Sequence, residues 1–201
     1  MLFRSANGIR YSVNPSGERF PIPQEKDYEL EKQRIGRLVE AARSEGKEIV
    51  VVMGVGFVGA VMAAIVADTV DAAGNPSKFV IGCQRPSQRS YWKIPMLNRG
   101  ESPVKAEDPE VDRIISRCVK DRKTLTASFN SDVLEYADVV VVDVQCDFSK
   151  QDLGYMKSGE ADMAALEATL KTIGEKIPPH CLTLIETTVA QIGRASCRER
   201  V

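Results

Sequence analysis

Gly54, Gly56 and Gly59, in the spacing Gly-x-Gly-x-x-Gly, are the residues of this chain whose types and order most directly imply chemistry. The first glycine permits a tight turn, and the second lets backbone come close to a pyrophosphate. The third lets the following helix pack tightly on the preceding strand. The backbone N–H groups of Phe57 and Val58 open that helix, whose positive end then faces the phosphates. The implied ligand is a dinucleotide, and a glycine turn that serves packing alone is the competing explanation.

The flanking elements decide between them. Glu48 to Met53 is a short β-branched run of the kind found in a buried parallel strand, and Ala60 to Ala73 is an alanine-rich helix stopped by Gly74-Asn75-Pro76. Strand, glycine turn, helix is the setting in which the motif denotes dinucleotide binding. Upstream, residues before Tyr28 are rich in Pro, Gly and Ser and predict an irregular arm. Tyr28 to Ser44 places Leu30, Ile35, Leu38, Val39 and Ala42 at helical spacing. Downstream come a strand at Phe79–Gly82, an irregular stretch from Cys83 to Lys105 broken by prolines, and a helix over Pro109 to Lys120. Further short elements follow at Thr124–Ala127 and Ser131–Tyr136. Val139 to Val144 is a strand buried on both faces, Gln145 to Gly159 a loop, Glu160 to Lys176 a helix, and Cys181 to Ile185 the last strand. This alternation predicts an α/β fold, a doubly wound parallel sheet of Rossmann type with an N-terminal helical extension. The implied division is an arm and helix over 1–46 and a dinucleotide-binding domain over 47–190.

Composition excludes several classes. A formal charge of −1 over 201 residues leaves no electrostatic footprint for nucleic acid or an anionic membrane. No apolar run reaches the roughly 18 residues of a membrane span. The five cysteines, Cys83, Cys118, Cys146, Cys181 and Cys197, form no zinc-type spacing, and their scatter fits reduced thiols and a cytoplasmic protein. His180 is the only histidine and follows Pro178-Pro179, a structural setting. No Gly-x-Ser-x-Gly elbow supports hydrolase chemistry.

Ile192 to Val201 resembles the translation of a sequencing adapter, and a basic, apolar-poor tail follows directly on a strand. Residues 191–201 are therefore set apart as non-native, with the expectation that the natural protein continues past Ala190.

From Glu48 to Ala190 the order of segments resembles the N-terminal, NAD-binding domain of the UDP-glucose/GDP-mannose dehydrogenase family. Gly54 to Ala60 matches its glycine loop. Leu97-Asn98-Arg99-Gly100-Glu101-Ser102-Pro103 is similar to its Leu-Asn-x-Gly-x-x-Pro loop. Leu125 to Val139 resembles its short strand, helix and Ala-Asp-Val segment, and Ile185 to Ala190 its Glu-Ser-Thr-Val stretch. The resemblance implies oxidation of a nucleotide sugar at C6 to the uronate, with NAD as cofactor. It places the catalytic cysteine in a second half beyond residue 190, and implies that the full-length protein is a homo-oligomer. Other readings of the same residues are a Rossmann dehydrogenase of another substrate class and a scaffold domain that binds NAD without catalysis.

Under that resemblance Gln84 stands where an aspartate usually binds the adenosine ribose, which removes the charge that repels a 2′-phosphate, and Arg85 beside it can attract one. Ser128 stands where a threonine contacts the cofactor. Cys146 takes the place of a threonine near the nicotinamide. Glu186, past the last strand, is the candidate general base or water-orienting group. Lys105, Glu107 and Asp108 follow the substrate-side loop, where a solvated charge cluster explains them equally well.

Overall fold

The computed structural model describes residues 9–149 and 160–188. Its first element is one that composition hides. β1 (Tyr11–Val13) and β2 (Arg19–Pro21) form an antiparallel hairpin within the stretch predicted to be irregular. Only Ser12 and Phe20 of the hairpin strands are buried, too few apolar positions to show a period. α1 (Glu25–Ser44) begins earlier than predicted, because the Asp27 carboxylate closes back on the Gln24 N–H at 2.8 Å and starts the helix one residue after Gln24.

The central sheet then assembles. β3 (Glu48–Met53) leads into α2 (Phe57–Ala67) and β4 (Lys78–Cys83). A short helix, α3 (Lys93–Asn98), lies within the stretch predicted to be irregular. Its Pro95 sits in the first turn, where a missing N–H costs nothing. α4 (Glu110–Ser116) runs into a π turn over Arg117–Asp121 and then β5 (Leu125–Ser128). A 3₁₀ turn over Ser131–Tyr136 precedes β6 (Val139–Val142). β7 (Asp147–Ser149) pairs antiparallel with β8 (Glu160–Asp162), so the helix predicted from Glu160 starts only at α5 (Ala164–Lys176). β9 (Leu182–Ile185) closes the sheet.

Five parallel strands lie in the order β5-β4-β3-β6-β9. Successive side chains of a strand point to opposite faces, so β3 divides its apolar run in two. Ile49, Val51 and Met53 meet Ile35, Val39 and Ala42 of α1 and Leu166, Leu170 and Ile173 of α5. Val50 and Val52 meet Ala60, Ala63, Ala64 and Ala67 of α2, with Ile115 and Cys118. Burial on both faces explains the unbroken β-branched runs. It also seats the N-terminal helix α1 on one face of the sheet.

α2 ends at Ala67, six residues short of the predicted end at Ala73. Asp68 terminates it: its carboxylate takes a two-pronged ion pair from Arg117, at 2.9 and 2.7 Å, and a bond from Arg122 at 2.8 Å. The chain then folds into an Asp71-capped turn that returns Pro76 to Val70. The two arginines converge because Arg122 N–H bonds to Arg117 O, five residues back, which puts both on one face. The ion pair with Arg117 holds the Asp68 carboxyl below the usual carboxylate range. Its stabilisation is therefore complete above the unfolded carboxylate pKa of about 4 and is lost as pH falls through the lower folded value. Asp68→Ala is expected to cost about 2 kcal/mol at pH 7, measured by urea unfolding, with the gap to wild type closing as pH is lowered towards 3.

Candidate dinucleotide site

The carboxyl ends of β3 and β6, the innermost strands at which the sheet order reverses, are where ligands collect in open α/β sheets. The glycine loop lies there. Gly54 has φ +106°, and a β-carbon on it would stand 2.2 Å from the backbone oxygen of Asp143, at the end of β6. A β-carbon on Gly59 would stand 1.9 Å from Gly54 O and 2.9 Å from Asp143 Oδ2. Both glycines are thus required by the protein's own packing. Gly56 differs: its φ is −86°, and a β-carbon there would have no atom within 4 Å. Internal packing gives Gly56 no reason to lack a side chain. A β-carbon there would instead shield the backbone, which glycine loops of this spacing leave open to a pyrophosphate. Phe57 and Val58, the first two residues of α2, are exposed beside it at 62% and 53%.

Gln84 comes to the same loop. Its Oε1 accepts from Val55 N–H at 3.0 Å, and its own N–H bonds to Ser128 O at 3.0 Å, which fixes the start of the loop after β4. Arg85 is exposed and has no ion-pair partner among the described residues. The structure sets Ser128 differently from the other candidates. It is fully buried, and its hydroxyl accepts from Asn130 N–H at 3.2 Å, holding the turn after β5. Cys146 is half-buried against the start of α5, its Sγ 3.5 Å from Asp162 O and from Met163 Sδ. Glu186 is exposed one residue past β9, anchored by its N–H to Val142 O at 3.0 Å. The glycine loop and Gln84 are therefore brought together by direct contact, and Gln84 in turn bonds to Ser128 O, whereas Cys146 is engaged with the start of α5 and Glu186 with the end of β6.

Two residues that sequence reasoning missed shape the site. Asp143 accepts a hydrogen bond from Gly59 N–H, in the first turn of α2, and burial pushes its carboxyl above the usual carboxylate range. The signal was present: a lone acid interrupts a run of valines that is otherwise buried. Thr187 is buried, and its hydroxyl accepts from Val144 N–H at 3.1 Å and donates to Val144 O at 2.9 Å. It clasps the backbone just after Asp143, and a threonine past a strand carries no sequence signal of that role.

The other groups are quickly placed. His180 Nε2 lies 3.5 Å from the Asp138 carboxylate, away from the glycine loop. Cys83 and Cys118 are buried thiols, and burial raises them to about 12 and about 11, which leaves them protonated and poor nucleophiles. Lys105, Glu107 and Asp108 line a cleft of about 510 Å³ together with Phe57 and Val61 of α2. A larger cleft, about 630 Å³, lies between the hairpin turn and the Leu97–Pro103 loop and contains no glycine-loop residue. Among the described residues no group of His, Cys, Asp or Glu is arranged to hold a metal, and no helix is long and apolar enough to cross a membrane.

Comparison with known proteins bears on the fold and the family. No curated protein sequence matches the chain. Among solved structures, NDP-N-acetyl-D-galactosaminuronic acid dehydrogenase from Methanosarcina mazei Go1 is 28% identical with a TM-score of 0.63, over 81% of this chain and 33% of that one. The UDP-D-ManNAc dehydrogenase of Pyrococcus horikoshii, 23% identical with a TM-score of 0.57 over 76% of this chain and 31% of its own, shares the fold. So does the GDP-mannose dehydrogenase of Pseudomonas aeruginosa, 23% identical with a TM-score of 0.53 over 70% of this chain and 28% of its own. The chain thus spans about a third of the length of the solved structures it matches. The sequence profile of the UDP-glucose/GDP-mannose dehydrogenase family, NAD binding domain, matches residues 48–198. The chain belongs to this family, and the matched residues are its NAD-binding domain.

Proposed function

We propose that this chain is the cofactor-binding part of an enzyme that uses NAD to oxidise a nucleotide sugar at C6 to the uronate. The observation that carries the cofactor site is Gly56, a glycine with no internal reason to be one. The sugar-nucleotide substrate is supported by family membership and by the name of the M. mazei relative. When bound, NAD supplies the hydride acceptor. The residues of this chain bind and orient it. In this reading Gly54, Gly56 and Gly59, with the N–H groups of Phe57 and Val58, hold the pyrophosphate, and Gln84 and Arg85 meet the adenosine ribose. Cys146 borders the nicotinamide side, and Ser128 keeps the β5 turn in place behind the ribose. Glu186 serves at the substrate side as base or water-orienting group. The remaining machinery, the assembly into a homo-oligomer and a cytoplasmic location belong to the same proposal, as does the division of the chain at residues 46 and 190.

Two experiments test it. Gly56→Val puts a side chain into open space, so the unfolding midpoint should stay close to wild type while NAD affinity, measured by calorimetry, falls at least about thirtyfold. Unchanged NAD affinity in a folded Gly56→Val protein would remove the site. The second concerns Asp143, a carboxylate already parked on the helix end that the pyrophosphate uses. Asp143→Asn keeps an acceptor for Gly59 N–H and removes the charge. It should tighten NAD binding about threefold to tenfold at pH 7.5. That gain should shrink as pH is lowered, because the wild-type carboxyl, with its raised pKa, takes up a proton and loses the same charge.

A further inference from the structure

The adenosine end of the site carries a specificity that the family assignment does not state. In dinucleotide folds an acid at the end of the second strand accepts from the ribose 2′-hydroxyl and repels a 2′-phosphate, and an arginine in that neighbourhood accommodates the phosphate. Here the second strand of the motif is β4, and the residue after it is Gln84. Its carbonyl is already spent: Oε1 accepts from Val55 N–H at 3.0 Å. A backbone N–H only donates, so the contact fixes which end of the amide points at the loop. The remaining end is an NH2 group with two donors and no acceptor. It has no partner among the described residues. Donors suit a phosphate oxygen and offer nothing that repels one.

The stretch of chain that follows β4 has the same polarity. Arg85 is exposed and has no ion pair among the described residues. From Ala72 to Gly100 the sequence has no aspartate or glutamate, while Arg85, Arg89 and Lys93 follow β4 in turn. Lys93 lies over the Trp92 ring, 5.9 Å from its centroid, and is held below the usual lysine range by burial and then by Arg89. The loop that carries them is fixed. Ser12 of the hairpin donates its hydroxyl to Gln88 O at 2.9 Å and accepts from Trp92 N–H at 3.1 Å.

We propose that this site accepts a 2′-phosphorylated adenosine ribose, so that the chain binds NADP as well as NAD, with Gln84 and Arg85 as the residues that permit it. The proposal rests on the dinucleotide site argued above and adds which cofactors that site admits. It is tested by calorimetric titration of the whole chain with NAD and with NADP, in the wild type and in Gln84→Asp and Arg85→Ala. The expected result is NADP affinity within about tenfold of NAD affinity in the wild type. Gln84→Asp should lower the ratio of NADP to NAD affinity about thirtyfold or more. Arg85→Ala should weaken NADP about tenfold and lower the ratio of NADP to NAD affinity, and the wild type's NADP affinity should fall more steeply with added salt than the variant's does. Arg85 is exposed, so that variant carries the test if Gln84→Asp disturbs the glycine loop. Wild-type protein that binds NAD but binds NADP more than about a hundredfold more weakly overturns this proposal alone. An Arg85→Ala variant with unchanged NADP affinity does the same. Folded wild type that binds neither cofactor overturns the dinucleotide site itself, and this proposal with it.

Discussion

Backbone passes backbone at the carboxyl edge of the sheet with no room for a β-carbon, and the site is built on that approach. Gly54 lies against the Asp143 carbonyl, and Gly59 lies against Gly54. The contact locks the start of α2 over the ends of β3 and β6 at once, so the helix N–H groups face the place where the sheet order reverses. Small residues extend the same constraint along the helix. Ala60, Ala63, Ala64 and Ala67 keep α2 close to Val50 and Val52, and no charged side chain interrupts the helix. The result is a helix end whose nearest built-in charge is the carboxylate of Asp143. Affinity for an anion there is a balance between helix dipole and donors on one side and that carboxylate on the other.

The second layer of order comes from side chains that stand in for missing secondary structure. β5 is an edge strand, yet its outer backbone is not left bare. Asn98 accepts from Ala127 N–H at 2.7 Å and donates to Ala127 O at 3.0 Å. Arg34 donates from Nη2 to Ala127 O at 2.8 Å, and the same Nη2 together with Nε holds Glu31. One asparagine and one arginine thus do for the Ala127 peptide what a neighbouring strand would do, which blunts an edge prone to pairing. The asparagine of the Leu97–Pro103 loop is in this respect a packing residue.

Periodicity made the sheet legible before any coordinates. β3 and β4 fall where β-branched runs placed them, because burial on both faces leaves a signal in every residue. Elements stabilised by one or two polar contacts left none. The hairpin is held by Ser12, Asn14 and the ion pair between Glu18 and Arg99, and none of these repeats at a period. The end of α2 was misread because Asp68 is stopped by arginines some fifty residues away, and alanines alone favour continuing. At the site the motif glycines were readable by spacing, and Gln84 by its position at a strand end. Asp143 showed only as an acid out of place in a valine run, and Thr187 not at all, since their roles exist only once β6, β9 and α2 have met.

The π turn over Arg117–Asp121 bears on how this chain can change over evolutionary time. Such a turn is the form a helix takes when it carries one residue more than its hydrogen-bond ladder accommodates. Deleting one residue there would restore an ordinary helix and leave the segment before it, with the buried Ile115, in its old register. The position now held by Arg122 would keep its face too, because the five-residue bond of the turn and the four-residue bond of an ordinary helix both set the bonded pair one turn apart. A relative shorter by one residue in this segment can therefore keep its helix, its core and both arginines on Asp68.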